Sequence, residues 1–187
     1  MLYRAVYWES IRAHPLFSQP VVDAAQNHAW AVRIAHGEVL GGGPDDVFKP
    51  PLYPAFLGLL YTLVGPKIGA AQSGQFLLGV LSCLLTALLG ARLFGPFVGV
   101  TAGLLSALYA PYLFFEGQLL SPAWSIFLNL VIVLLGLALE KRGPGAWVGL
   151  GALTGVAIGI RPDALPGLGA FLIHRLFRSA KTESRKT

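Results

Sequence analysis

The feature that most constrains this chain is a long stretch that is nearly free of charge. Between residues 64 and 139 the only formally charged side chains are Lys67, Arg92 and Glu116. Soluble domains carry charge on about a quarter of their residues, whereas this chain as a whole is 12% charged and 55% apolar. A water-exposed surface cannot be built from so few charges, so lipid must cover much of the protein.

Apolar stretches at residues 69–93, 97–115, 119–139 and 146–177 are the candidate membrane spans. A helix rising about 1.5 Å per residue needs about 20 residues to cross the hydrocarbon, and each of the first three stretches is close to that length. The last is interrupted by Arg161-Pro162-Asp163, which predicts a helical hairpin with spans at 146–160 and 163–177. The sequence therefore predicts an all-α, polytopic transmembrane bundle within residues 67–177.

A shorter apolar segment precedes these spans. It lies between Pro54 and the Gly65-Pro66 pair, and it is too short to cross a bilayer. We therefore predict an interfacial or re-entrant helix within residues 51–66. Small residues also recur at four-residue spacing, which lets helix backbones approach closely in lipid; they are Gly95, Gly99 and Gly103 in one run and Gly145, Gly149, Gly151, Gly155 and Gly159 in another.

Basic residues lie at the ends of the apolar runs, and cytoplasmic loops are enriched in Lys and Arg. Placing the basic tail 178–187 inside and counting back through the spans also puts residues 140–142 and Arg92 inside. The polar segment 1–50 then lies on the outer face as a loop with short helices. Membrane topology accounts for the net charge of +5, so we expect no nucleic-acid partner. The expected location is the bacterial inner (cell) membrane, with several crossings.

Polar chemistry is concentrated in residues 1–50, so a site is expected there first. Residues 23–36 contain few helix breakers and predict a short helix that stops at Gly37, with Asp23 at or near its N-cap. Capping is one role for this aspartate. The lone cysteine, Cys83, excludes a disulfide framework and a cysteine-based zinc site.

Several blocks, in order, resemble the first half of glycosyltransferase family 39, the protein O-mannosyltransferase and aminoarabinose transferase type, whose wider relatives share the GT-C fold. The similarity covers about residues 20–175. It is carried by Asp23, Trp30-Ala31, Ile34, Gly37, Lys49-Pro50-Pro51-Leu52-Tyr53-Pro54, Gly90-Ala91-Arg92-Leu93-Phe94-Gly95, Phe115-Glu116-Gly117-Gln118-Leu119-Leu120-Ser121-Pro122 and Gly159-Ile160-Arg161-Pro162-Asp163. We expect the chain to correspond to the N-terminal half of such an enzyme.

The resemblance implies transfer of a hexosyl or pentosyl group from a polyprenyl-phosphate donor to a protein, lipid or glycan acceptor on the outer face. Asp23 would act as general base or hold a divalent metal ion. Lys49 and Arg161 would contact the phosphate, and Glu116 would contribute to substrate binding. The sequence departs from many relatives at Val22, where an acidic pair is common, and at Ser121, where an acid is common.

Structural roles stand beside these functional ones. Lys49 can anchor a helix end by extending its ammonium towards water, and Arg161 can pair with Asp163 at the hairpin turn. The rival to an enzyme is a non-enzymatic membrane module, either a transporter fragment or an assembly subunit, in which Asp23, Lys49 and Glu116 are structural.

Overall fold

A computed structural model describes residues 2–11, 14–38, 49–139 and 142–164, and all regular structure in these ranges is helical. This confirms the all-α fold class. In chain order the helices are α1 Leu2–Ile11, α2 Pro15–Ser18, α3 Asp23–Ala35, α4 Leu52–Val64, α5 Ile68–Phe94, α6 Pro96–Leu108, α7 Ala110–Glu116, α8 Pro122–Ala138 and α9 Pro144–Ile160, with a 3₁₀ turn at Pro162–Ala164. The predicted span 163–177 and the tail 178–187 lie almost entirely outside the described residues.

Within the described ranges, α5 is the one helix that is long and apolar enough to cross a membrane alone. The α6–α7 pair is a second candidate if it forms one broken span, and α4, α8 and α9 are apolar but shorter. Large apolar side chains on α5 and α6 are exposed, among them Leu84, Phe97 and Leu104. An apolar surface of this kind is expected to face lipid, as in a partial membrane bundle. The number of crossings stays a prediction.

Glycine and proline set several helix boundaries. The α4 helix ends at Gly65, whose φ of 80° is a conformation that glycine adopts without steric strain. This helix spans the apolar segment identified in the sequence. Gly95 ends α5 with φ 99°, and Pro96 then opens α6 at a position where its missing N–H costs nothing. The interfacial or re-entrant placement of α4 stays a prediction.

The apolar run 97–115 is not one straight helix, because it bends by 55° between α6 and α7. Tyr109 adopts an extended conformation at the break, two residues before Pro111. Proline has no N–H to donate to the carbonyl four residues earlier, which is that of Ala107. Arg4 Nη1 donates to this carbonyl at 3.3 Å instead. A side chain from α1 therefore supplies the hydrogen bond that the proline removes.

The small-residue pattern gives close packing in part of each predicted run. A side chain at Gly99 or Gly103 of α6 would clash with Ala87 or Ala91 of α5, so the α5–α6 contact confirms the prediction there. On α9, the four glycines from position 145 to position 155 have no described neighbour where a Cβ would lie. Gly159, the last of that run, does pack closely, since a Cβ there would overlap Leu52 of α4.

The main core lies where α3, α4, α8 and α9 meet. Ala31, Tyr61, Leu119 and Ile160 are each at most 2% exposed in this cluster. Gly58 of α4 lets Ile34 of α3 approach the α4 backbone. This packing brings the start of α3 close to the end of α9.

Candidate functional site

Asp23 is the first residue of α3 and lies at an exposed helix end. The cap position belongs to Val22, whose side chain caps nothing and whose φ is 49°. A positive φ is unusual for a β-branched residue, and Val22 is the one non-glycine example in the described part of the chain. Strained backbone of this kind is often kept at functional sites. Asp23 is therefore not the N-cap itself, and its carboxylate is directed to another partner.

That partner is Lys49. The Lys49 Nζ lies 2.6 Å from Asp23 Oδ1 and also contacts Gln26 Oε1. The Asp23 side chain is 64% exposed and that of Lys49 is 28% exposed, so the pair is open to solvent on one side. An exposed ion pair contributes about 0–1 kcal/mol to stability. The two residues that were predicted to take part in the reaction are thus in direct contact. Their ion pair contributes little to the stability of the fold.

A cavity of about 440 Å³, which we call the Asp23 cavity, adjoins this ion pair. Three of the four predicted site residues line this cavity. They are Asp23, Lys49 and Arg161, the last at the end of α9. Its lining comprises Asp23, Asn27, Lys49, Pro50, Tyr53, Phe115, Leu120, Ser121, Pro122, Ile160, Arg161 and Pro162.

Arg161 also forms an ion pair with Asp163, which is the structural role predicted for it as an alternative. Its Nε donates to Asp163 Oδ2 at 2.7 Å, and Ser125 Oγ donates to Asp163 Oδ1 at 3.2 Å. The Arg161 side chain is 40% exposed. Because Arg161 makes this pair and lines the Asp23 cavity as well, the structural and functional roles are compatible.

Glu116 lies apart from the Asp23 cavity, in a buried ion pair with Arg4. The Arg4 Nε and Nη2 atoms donate to the two carboxylate oxygens at 2.9 Å each, and both residues are almost fully buried. Sequence reasoning missed Arg4, although a lone arginine in the first helix and a lone acid in the apolar region make a natural pair. The substrate-binding role of Glu116 stays a prediction.

Two buried glutamines of α5, which the sequence analysis also missed, hold the 117–121 loop. Gln72 Nε2 donates to the Gly117 carbonyl at 2.9 Å, and Gln75 Nε2 donates to the carbonyls of Glu116 and Gln118. The Tyr53 hydroxyl donates to Gln75 Oε1 at 2.9 Å. Buried polar groups in an apolar bundle need such partners. Their effect is to fix the loop that supplies one wall of the Asp23 cavity.

Among the described residues, those around Asp23 do not form a ligand set for a divalent cation. Mg²⁺ and Ca²⁺ take several oxygen ligands, usually including more than one carboxylate. No three His, Cys, Asp or Glu side chains cluster as possible ligands within the described ranges, and the group nearest to Asp23 is the Lys49 ammonium, which would repel a metal ion. The divalent metal ion stays a prediction from the resemblance, and the chemistry proposed below gives Asp23 the role of a base.

A family model described as dolichyl-phosphate-mannose-protein mannosyltransferase matches residues 48–186. The chain belongs to this family. Membership makes the protein an integral membrane glycosyltransferase of the GT-C type, in a mannosyltransferase-like family whose enzymes use polyprenyl-phosphate-linked sugar donors. Comparison with curated proteins and with solved structures gave no match.

The mannosyltransferase family match covers three of the predicted site residues. Lys49, Glu116 and Arg161 lie within it, whereas Asp23 precedes it. The assignment of Asp23 therefore depends on its contact with Lys49 and on its place in the cavity wall.

Proposed function

We propose that the Asp23 cavity is the donor-phosphate and acceptor site of a sugar transferase. The enzyme would take a hexosyl or pentosyl group from a polyprenyl-phosphate carrier and pass it to a hydroxyl of a protein, lipid or glycan acceptor. The reaction would occur on the outer face of the bacterial inner membrane, in a multi-pass protein. The observation that carries the proposal is the meeting of Asp23, Lys49 and Arg161 at one cavity.

The charges of the cavity suit the two ends of the reaction. The acceptor hydroxyl gives its proton to the Asp23 carboxylate, and its oxygen forms a bond to the anomeric carbon of the sugar. The bond between that carbon and the phosphate oxygen breaks, and the electron pair leaves with the phosphate. Lys49 and Arg161 stabilise the negative charge that develops there, with Arg161 able to offer a planar pair of donors.

Replacing Asp23 by asparagine tests the base. The amide keeps the size of the side chain but cannot accept the proton, so we expect the rate of sugar transfer in membranes to fall by about 10²–10⁴-fold. Stability should change by no more than about 1 kcal/mol, because the ion pair is exposed. Glu38→Gln is the matched control, since Glu38 is an exposed acid near the end of the same helix.

The outcomes separate the enzyme from its rival. Normal expression of Asp23→Asn with lost transfer supports the proposal. Unchanged transfer in Asp23→Asn removes Asp23 from the mechanism. Absence of transfer by the unmodified protein with every polyprenyl-phosphate sugar tested would favour the non-enzymatic membrane module.

Lys49→Gln examines the phosphate contact separately. We expect it to raise the KM for the polyprenyl-phosphate donor and to lower kcat, because the ammonium would stabilise both the bound phosphate and the departing one. An unchanged KM and kcat would restrict Lys49 to anchoring the start of α4.

A further inference from the structure

A second cavity, of about 430 Å³, adjoins the first, and we call it the Glu116 cavity. The two share Phe115, Pro122 and Arg161 in their linings. Glu116, Ser82 and Ser125 are each at most 5% exposed, yet all three line this second cavity. Each has a polar partner within the protein, namely Arg4, the Leu78 carbonyl and Asp163 respectively, and carboxylate and hydroxyl oxygens can accept further hydrogen bonds. The Glu116 cavity can therefore accommodate a polar occupant.

The two cavities differ in charge. Among the described residues, Asp23, Lys49 and Arg161 are the charged residues lining the Asp23 cavity, so positive charge is in excess there. Glu116, Asp163 and Arg161 are those lining the Glu116 cavity, and because Arg4 pairs with Glu116 and Arg161 with Asp163, positive charge is not in excess there. An anionic phosphate is thus favoured in the first cavity over the second.

The Glu116 carboxylate is held in place from two sides. Arg4 binds both of its oxygens, which fixes the plane of the carboxylate. Gly79 of α5 leaves the space that the carboxylate occupies, since a Cβ at that position would overlap it. This site is built from three separate elements, α1, α5 and α7.

The lining selects the chemical class of the occupant. A prenyl chain would press hydrocarbon against the carboxylates of Glu116 and Asp163, and a phosphate would meet two arginines that are each already paired with a carboxylate. A neutral polyol fits, because its hydroxyl groups can donate to these carboxylates and its C–H face can lie against Tyr112 and Phe115.

We propose that the Glu116 cavity binds the sugar of the lipid-linked donor, while its phosphate lies at Arg161 and in the Asp23 cavity. The anomeric bond then lies at the wall that the cavities share. This inference rests on the proposed function and adds the location of the sugar.

The test compares binding of two kinds of lipid to the full chain in detergent. One is dolichyl phosphate, and the other is dolichyl phosphate carrying mannose, galactose or arabinose. Ser82→Phe places a ring in the Glu116 cavity. Ser73→Phe is the matched control, because Ser73 is an exposed serine of the same helix that also donates to the carbonyl four residues earlier and lines neither cavity. We expect Ser82→Phe to weaken binding of the preferred sugar lipid by about tenfold or more and to leave dolichyl phosphate nearly unaffected.

Lys49→Gln should instead weaken binding of both lipids by similar factors, and Ser73→Phe should change neither. If Ser82→Phe does not fold, Ile126→Trp fills the same cavity from α8, with Val133→Trp, at an exposed position of the same helix that lines neither cavity, as its control. Equal effects of the filling variant on both lipids, or no effect on either, would overturn the inference alone. Failure of the unmodified protein to bind any of these lipids would overturn the proposed function, and the inference with it.

Discussion

Replacing Arg4 by methionine probes the contact that connects α1 to the rest of the bundle. Arg4 is 6% exposed and donates to both oxygens of Glu116 and to the Ala107 carbonyl. Methionine keeps most of the volume and removes the charge and the donors. Glu116, itself 3% exposed, would be left as a buried carboxylate without its cation.

The expected cost is large because one partner of a buried ion pair is removed while the other stays. Such changes cost about 3–5 kcal/mol. For a chain of this size that lowers the midpoint of thermal unfolding by roughly 6–20 °C. Replacing both partners, as Arg4→Met with Glu116→Leu, removes the unpaired charge and leaves the Ala107 carbonyl without its donor, a loss of about 1–3 kcal/mol.

The assay is the fraction of detergent-purified protein that stays monodisperse after heating, measured for both single variants and the double variant. Arg92→Met is the control, because Arg92 is exposed at the end of α5 and makes one hydrogen bond to the Leu137 carbonyl. The double variant should be more stable than either single variant. A midpoint for Arg4→Met no lower than that of Arg92→Met, or single-variant losses that simply add in the double variant, would refute the reasoning.

Two further predictions concern single side chains. Gly79→Ala should destabilise the protein, because the added methyl group would overlap the Glu116 carboxylate. Gly74→Ala on the same helix adds a methyl group with no described atom within 4 Å and should be neutral or slightly stabilising. Equal midpoints of thermal unfolding for the two variants would contradict this prediction. Burial lowers the pKa of His28 below its ordinary value of 6.5, so the folded state binds fewer protons than the unfolded chain, and the free energy of unfolding should decrease as the pH falls below about 6.5. His28→Asn, which keeps a nitrogen near the Tyr61 hydroxyl, should reduce that pH dependence in thermal unfolding, and an unchanged slope would exclude His28 as its source.

Local signals predicted the elements that end at glycine or proline. The α4 and α5 helices agree with their predicted ranges within about a residue, because Gly65, Pro66 and Gly95 each stop or start a helix for backbone reasons alone. The interruption at Arg161 was predictable for the same reason. Asp23 and Lys49 could be assigned to one site by family resemblance; the structure places the two side chains in contact, and their catalytic roles stay predictions.

Contacts between distant residues could not be predicted in this way. Arg4 and Glu116 are 112 positions apart, and no local pattern connects them. The bend at Tyr109 was missed because hydropathy alone treats 97–115 as continuous, whereas the Pro111 ring interrupts the helix. Gln72 and Gln75 could have been identified from the sequence, since polar amides in an apolar run usually have a buried partner.

The central claim is that the Asp23 cavity receives the phosphate of a polyprenyl-phosphate donor. Its most direct test is photo-crosslinking in membranes with dolichyl phosphate that carries a photoreactive group beside the phosphate, followed by mapping of the labelled residues by mass spectrometry. We expect label on residues that line the Asp23 cavity, around Lys49 and Arg161, and loss of that label when unmodified dolichyl phosphate is added in excess. Label confined to the exposed face of α6, near Val100 and Leu104, would contradict it.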